Sequence, residues 1–133
     1  MHLTRLVLSL LLILWPALAI AETIDVNDDH GGSVSEYDAR WTALAAQGVS
    51  VRIVGPCQSA CTVLLAHIPR SRICVMPDAR FGFHLANLAS AQATLWAAYA
   101  PDIRAWITAH GGLKPMPFLW MGAPDIFQYF KRC

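Results

Sequence analysis

The sequence has little charge of either sign and no cluster of basic residues. Only 14% of its 133 residues are charged, with ten Lys or Arg against nine Asp or Glu, and its only lysines are Lys114 and Lys131. Nucleic acids and anionic membranes are bound chiefly through clustered positive charge. We therefore expect neither as a partner. Internal repeats, low-complexity tracts and linkers are also lacking, so the length fits one domain with a single core.

The only long apolar run lies at the start of the chain. Arg5 precedes the segment LVLSLLLILWPALAI, which ends in small residues around Ala19–Ala21. This layout is typical of a secretory signal peptide. A retained membrane anchor is the alternative, but the run before Pro16 is short for a bilayer span. We therefore predict a signal peptide over residues 1–21 and one domain over residues 22–133. The location would be periplasmic or secreted, with no stable membrane association after cleavage.

Cysteine is scarce, and all of it follows the apolar run. An even number of cysteines in an exported chain indicates two disulfides. Zinc ligation and free thiols are the alternatives. A zinc site usually takes two close pairs of ligands, and this sequence has one close pair with its histidines scattered. No metal or other cofactor is therefore expected. The four cysteines are Cys57, Cys61, Cys74 and Cys133.

Strand-like and helix-like segments alternate along the rest of the chain. Helices that connect successive strands favour a mostly parallel sheet, and so an α/β fold. Strands are predicted at ETIDV, VSVRIV, RICVM and FGFHLA. Helices are predicted at residues 35–47, from Ser59 to about residue 68, at 89–100, from about Asp102 to the HGG segment, and in APDIFQYF.

A group of residues with catalytic potential surrounds the second predicted helix. Ser59 stands at a strand-to-helix junction, where a hydroxyl can project from a sharp turn. The N–H of Ala60 and an N–H of the Gly31-Gly32 loop would be free to stabilise an oxyanion. Both turns follow parallel strands, so they can meet in one crevice. His84 would accept the serine proton. Taken singly, these residues are more often a helix cap, a core histidine and a turn.

The segments HGGSV, GPCQSACTVLLA and PDARFGFH together resemble the ClpP/crotonase superfamily. They are most similar to small exported ClpP-like proteins of alphaproteobacteria that carry a C-x-S-A-C motif. The resemblance implies a ClpP/crotonase-like α/β fold, truncated at the N-terminal side, and a peptidase-related serine hydrolase acting on a peptide or acyl substrate. It assigns the nucleophile to Ser59, the general base to His84, and the oxyanion donors to Gly32 and Ala60.

The sequence departs from this family pattern at the third catalytic residue. The aspartate of the family's triad would fall at Phe118, and no carboxylate lies between Asp102 and Asp125. Asp102, Asp125 or a backbone carbonyl would then have to orient His84. A Ser–Lys dyad that uses Lys114 is a further variant. No ATPase partner is expected, because an exported protein meets no ATP.

Two other functions stay open beside hydrolysis. One is a catalytically silent ClpP-like binding module, and the other is a disulfide-stabilised envelope protein. The disulfide pairing that we favour joins Cys57 to Cys61, which would hold Ser59 in a fixed turn. The second bridge would then join Cys74 to Cys133 and tie down the C-terminus.

Overall fold

Strands and helices alternate along the chain, and most elements lie where the sequence predicts them. The computed structural model describes residues 21–133, so the predicted signal peptide, apart from Ala21, lies outside the described residues. No helix in this described part is both long and apolar enough to cross a membrane. The strands are β1 (Thr23–Val26), β2 (Ser50–Ile53), β3 (Pro56–Gln58), β4 (Ile73–Val75), β5 (Arg80–Phe83), β6 (Leu119–Met121) and β7 (Lys131–Arg132). The α-helices are α1 (Val34–Ala46), α2 (Ala89–Ala98), α3 (Pro101–Ala109) and α4 (Ile126–Tyr129), and the 3₁₀ segments are Ser59–Ala66, called the Ser59 helix below, and Arg70–Arg72.

A four-stranded parallel sheet has the order β1-β2-β4-β7. In β2, Val51 and Ile53 are buried, whereas Arg52 is exposed and pairs with Asp25 of β1. This alternation is expected of a strand, whose successive side chains point to opposite faces. Helix α1 connects β1 to β2, as a pair of parallel neighbours requires. The structure therefore has the predicted α/β class with a mostly parallel sheet.

A second sheet of three strands carries the segments that hold Ser59 and His84. Its order is β3-β5-β6, with β3 parallel to β5 and β5 antiparallel to β6. Gln58 of β3 pairs with Gly82 of β5, so the chain leaves both strands at the same edge of the sheet. The prediction of a single sheet is corrected by this finding. The reason is the shortness of β3 and β6, at three residues each, which leaves no alternation to detect.

The Ser59 helix is of the 3₁₀ type along its whole length, although an ordinary helix was predicted. Two contacts tighten its first turn. The Thr62 hydroxyl donates to the carbonyl of Ser59 at 2.7 Å, and a disulfide joins Cys57 to Cys61. Side chain-to-backbone bonds of this kind compete with regular helical hydrogen bonding. The result is a short, tightly wound segment directly behind Ser59.

Aromatic side chains of β5 are packed in the core. Phe81 and Phe83 are fully buried, as is Trp41 of α1. The ring of Phe83 meets the edge of Tyr99 at a centroid distance of 4.9 Å, and Phe81 packs on Phe130 at 5.2 Å. Complete burial of one such side chain stabilises a fold by about 1.5–3 kcal/mol. The strand that leads to His84 is thus anchored in the core immediately before the histidine.

Both disulfides have the pairing that we favour from the sequence. Cys57 is joined to Cys61, with Cα atoms 5.3 Å apart, and Cys74 of β4 is joined to Cys133 just after β7. Every cysteine of the described chain is therefore oxidised, so the alternatives of zinc ligation and free thiols do not hold. Disulfides of this kind persist in oxidising compartments.

Candidate active site

Ser59 occupies a strained backbone position between β3 and the Ser59 helix. Its φ is +55°, and it is the only non-glycine residue with a positive φ among residues 21–133. Such a conformation costs roughly 1–3 kcal/mol for a residue with a side chain. It survives only where the surroundings fix it, and here the Cys57–Cys61 bridge closes around the turn. The sharp turn projects the hydroxyl away from the backbone, as a nucleophile elbow does.

The hydroxyl of Ser59 meets the imidazole of His84. The distance from Oγ of Ser59 to Nε2 of His84 is 2.7 Å, which is a short hydrogen bond. The contact follows from the sheet, because His84 directly succeeds β5 and Ser59 directly succeeds its parallel neighbour β3. Residues at the carboxyl ends of adjacent parallel strands share one edge. The structure therefore brings together the two side chains that the sequence assigns to nucleophile and base.

The other ring nitrogen of His84 faces a backbone carbonyl. Nδ1 lies 3.2 Å from the oxygen of Pro115, and the same loop is held by a bond from the N–H of Leu85 to the oxygen of Lys114 at 2.9 Å. A carbonyl can only accept, so this bond places the imidazole proton on Nδ1. Nε2 is then left unprotonated and able to accept the proton of Ser59.

Neither aspartate that was predicted as a possible orienter contacts His84. Asp102 accepts two bonds from Arg70, at 2.7 and 2.9 Å, and this pairing lowers the pKa of the Asp102 carboxyl. Asp125 accepts a bond from the indole of Trp106 at 2.9 Å. Both carboxylates are thus paired with side chains other than His84. Asp102 and Asp125 are therefore not the orienters, and of the three candidates named from the sequence only a backbone carbonyl contacts the imidazole.

Phe118 lies against His84 at the position where the resemblance would place an aspartate. The two ring centroids are 4.6 Å apart, with an interplanar angle of 37°. The imidazole is therefore covered on one face by an apolar ring. Lys114, the residue of the alternative dyad, is exposed, and Ser59 pairs with His84 instead. Among residues 21–133, no three potential metal ligands come together.

The diglycine loop is fixed against the Ser59 turn. Asp29 forms an isolated parallel bridge with Cys57, and its carboxylate accepts the N–H of Gly31 at 2.9 Å and the hydroxyl of Tyr37 at 2.6 Å. Burial, and then the bond to Asp29, raise the pKa of Tyr37 to about 12. Gly31 has a φ of +82°, and a Cβ there would lie 2.9 Å from the Cβ of Ser59. Only glycine allows this approach.

Two backbone N–H groups beside Ser59 have no acceptor within the described chain. The N–H of Gly31 is bonded to Asp29, but the N–H of Gly32 donates to no described residue. The N–H of Ala60, in the first turn of the Ser59 helix, likewise donates to none. First-turn N–H groups have no partner within their own helix. Both are of the kind that stabilises an oxyanion, and they are the two that the resemblance names.

A groove of about 610 Å³ opens beside Ser59 and His84. Ser59, His84 and Gly32 belong to its lining, and residues of α1 and of the α2 region form the remainder. Ligand pockets of roughly 300–1,000 Å³ hold molecules of drug size. The Ser59 hydroxyl thus lies at a groove of the size that holds a small ligand.

A buried hydroxyl pair supports the turn from behind, and the sequence did not reveal it. The hydroxyl of Thr62 donates its proton to the carbonyl oxygen of Ser59. The hydroxyl of Tyr99 lies 2.7 Å from Oγ1 of Thr62 and must therefore donate to Oγ1. Both residues are buried, and burial raises the pKa of Tyr99. A threonine three residues after a helix-opening serine is a weak signal, and nothing local marks Tyr99. The Pro115 carbonyl has no sequence signal at all, since every residue carries one.

The sequence was also compared with known proteins. No model of a protein family matches this chain, and no curated protein does either. The assignment of function therefore depends on the geometry of the site.

Proposed function

We propose that this protein is an exported, ClpP-like serine hydrolase, related to peptidases, with Ser59 as nucleophile and His84 as general base. The observation that carries the proposal is the 2.7 Å contact between Oγ of Ser59 and Nε2 of His84, made at a turn with a φ of +55°. A serine that only capped a helix would need neither a histidine at this distance nor a strained backbone.

The proposed reaction begins with attack by Oγ of Ser59 on an acyl carbon of the substrate. Nε2 of His84 takes the hydroxyl proton, while the Nδ1 proton stays bonded to the oxygen of Pro115. The oxyanion that forms is stabilised by the N–H groups of Gly32 and Ala60. His84 then protonates the leaving group, and water releases the acyl group by the same steps in reverse.

The neutral partner of His84 implies slow turnover. In a Ser-His-Asp triad the aspartate fixes the tautomer and also stabilises the imidazolium, and its loss costs about 10⁴ in turnover. The Pro115 carbonyl supplies the first effect, because it holds the proton on Nδ1. The Pro115 carbonyl has no net charge, so it stabilises the imidazolium of His84 much less than a carboxylate would. We therefore expect acyl transfer that is measurable on activated substrates and weak on amides.

The second candidate is a ClpP-like binding module that no longer turns over. It is favoured by the contact between Phe118 and His84, which puts an apolar ring where a charged orienter would help. In that case the groove would bind a peptide or acyl group without cleaving it. The proposed family relationship is supported by the mostly parallel sheet, by the contact between Ser59 and His84, and by the free N–H groups of Gly32 and Ala60 within the described chain. A periplasmic or extracellular location is supported by the two disulfides.

Hydrolysis of an activated ester separates the two candidates. We would mix p-nitrophenyl butyrate with the protein, both disulfides intact, and record the burst of p-nitrophenol. The wild type should give a burst of about one equivalent, followed by slow turnover. Ser59→Ala should abolish the burst and His84→Ala should slow it strongly, whereas Ser71→Ala, on the exposed 3₁₀ turn, should match the wild type. Release at the same rate from wild type and Ser59→Ala would reject the hydrolase in favour of the binding module.

A further inference from the structure

The groove beside Ser59 is lined by very few ionisable residues. Among the residues that line it, Asp38 and His84 are the only ionisable ones. Since His84 is assigned to catalysis, Asp38 supplies the only fixed charge of the substrate-binding part. A groove whose one charge is negative attracts a cation and repels a carboxylate.

Asp38 has one carboxylate oxygen that no protein donor occupies. Oδ1 lies 2.7 Å from Nε2 of His67, so the histidine donates to it and fixes the side chain. Oδ2 receives no hydrogen bond from any residue between 21 and 133. The Asp38 side chain is 44% exposed, and the residue lines the groove. A ligand cation can therefore reach the free oxygen without breaking the bond to His67.

The position of Asp38 suits a long basic side chain. It follows Val34 by four residues on α1, so both lie on one face of the helix and about 6 Å apart along its axis. Val34 begins α1 directly after the diglycine loop. The same groove is therefore lined by the Ser59 hydroxyl and by a carboxylate that lies one helical turn beyond the start of α1. Lysine carries its charge at the end of a flexible four-carbon stem, which suits a carboxylate set back from the diglycine loop.

Apart from Asp38 and His84, the groove is lined by apolar and by neutral polar side chains, the polar ones including Ser35, Asn87, Ser90 and Thr94. Ala39 of α1, with Leu88 and Ala91 of the α2 region, line the groove. Lysine and arginine bury their methylene stems along such surfaces while the charged end stays polar and hydrated. The apolar residues of the lining can pack on the methylene stem of a basic side chain, and Asp38 can pair with its charged end.

We propose that this groove binds a peptide on the acyl side of the scissile bond, with a lysine or arginine side chain directed to Asp38. The proposal rests on the hydrolase function above and specifies its substrate class. Asp38 is then a specificity-determining residue, held in position by His67. Peptides with a neutral or acidic residue at this place bind less well.

Peptide diphenylphosphonates test this preference. Two sets of Ala-containing dipeptide probes would carry lysine, norleucine or glutamate in the first or the second position from the phosphonate, and their second-order rates of inactivation would be compared. A half-exposed ion pair gives about a three- to fivefold preference for lysine over norleucine in one of the sets. The glutamate probe should be slower than either.

Variants of Asp38 separate the charge effect from general damage. Asp38→Asn should remove the preference, so that the lysine and norleucine probes react at equal rates, and Asp38→Lys should favour glutamate. Asp78→Asn, in the exposed turn before β5, should keep the wild-type preference. Wild-type rates that are equal for lysine, norleucine and glutamate, or a preference that persists in Asp38→Asn, would overturn the proposal while leaving the hydrolase intact. If no probe reacts through Ser59, the hydrolase itself fails, and with it this substrate assignment.

Discussion

Nδ1 of His84 lies 3.2 Å from the carbonyl oxygen of Pro115, so a neutral backbone acceptor orients the imidazole in place of a carboxylate. The contact sets the tautomer that Ser59 needs, because Nε2 remains free to accept a proton. It leaves the imidazolium without an anionic partner once that proton has moved. If the protein acts as proposed, the site therefore lacks one source of rate for acyl transfer.

A carboxylate at position 118 should raise the rate. Phe118 already lies beside the imidazole, at a centroid distance of 4.6 Å. Phe118→Asp should increase the burst rate with p-nitrophenyl butyrate by about tenfold, a fraction of the roughly 10⁴ that a triad aspartate provides. Phe118→Asn is the matched control, since it has the same shape without the charge. If both variants accelerate equally, the gain comes from removing the aromatic ring, and the resemblance to a degraded triad loses its support.

The sequence was sufficient to predict that Ser59 and His84 meet, because a serine at a strand-to-helix junction needs a base to act as a nucleophile and the segments around both residues resemble one family. It was not sufficient to predict the second sheet, since β3 and β6 are too short to show alternation. Nor could it select the Pro115 carbonyl, because a backbone acceptor has no residue type. Asp102 and Asp125 were reasonable candidates by chemistry, but their bonds to Arg70 and Trp106 depend on tertiary packing.

The two glycines of the loop should respond differently to alanine. At Gly31 a Cβ would lie 2.8 Å from the oxygen of Gln58 and 2.9 Å from the Cβ of Ser59, and φ is +82°. Gly31→Ala should therefore lower the free energy of unfolding by about 1–3 kcal/mol and displace the serine turn. At Gly32 the nearest atom would be Cε2 of Tyr37 at 3.5 Å.

Gly32→Ala should therefore keep both the stability and the N–H that is assigned to the oxyanion. Urea denaturation and the ester burst measure the two effects. Equal losses of burst rate in Gly31→Ala and Gly32→Ala would contradict the assigned roles of the two residues.

We expect the Cys74–Cys133 disulfide to contribute mainly to stability and the Cys57–Cys61 disulfide mainly to activity. Cys74–Cys133 has a sequence separation of 59, whereas Cys57–Cys61 has a separation of 4. The loop-entropy term is about 4 kcal/mol for the long loop and about 2 kcal/mol for the short one. The double variant Cys74→Ala/Cys133→Ala should thus be less stable than Cys57→Ala/Cys61→Ala. It should nevertheless keep the wild-type burst rate at temperatures where it is folded.

Cys57→Ala/Cys61→Ala should instead lose most of the burst while remaining folded, because the bridge closes around the strained Ser59 turn. Circular dichroism and the burst assay would be run on both variants at one temperature. A Cys57→Ala/Cys61→Ala protein that is folded and fully active would show that the bridge has no part in positioning the nucleophile.

Of the two buried hydroxyls behind the Ser59 turn, that of Thr62 should contribute more to the free energy of unfolding than that of Tyr99. Thr62→Val leaves the hydroxyl of Tyr99 buried without its acceptor and removes the donor from the Ser59 carbonyl. The expected loss in the free energy of unfolding is about 1–3 kcal/mol. Tyr99→Phe leaves the bond from Thr62 to Ser59 in place, so its loss should be about 1 kcal/mol. Denaturant titrations of both variants at neutral pH would measure this order, and the reverse order would contradict the assigned donors.

The stability of the protein at alkaline pH also tests the burial of Tyr99. Burial raises the pKa of Tyr99 in the folded state above its ordinary value of 10.0. The associated stability is therefore fully present below pH 10 and is lost as the pH rises from there through the folded-state pKa. The wild type should lose about 1.4 kcal/mol per pH unit in that window from this residue. Tyr99→Phe lacks that loss, so the stability gap between the two proteins should narrow above pH 10.

The central claim is that the Ser59 hydroxyl is activated by His84 in the native protein. The most direct measurement is mass spectrometry of the protein after reaction with a fluorophosphonate. The account predicts one adduct, located on Ser59, formed by the native wild type and not by the urea-unfolded chain, and formed far more slowly by His84→Ala. An unmodified wild type, or a native adduct at any other residue that persists in Ser59→Ala, would contradict it.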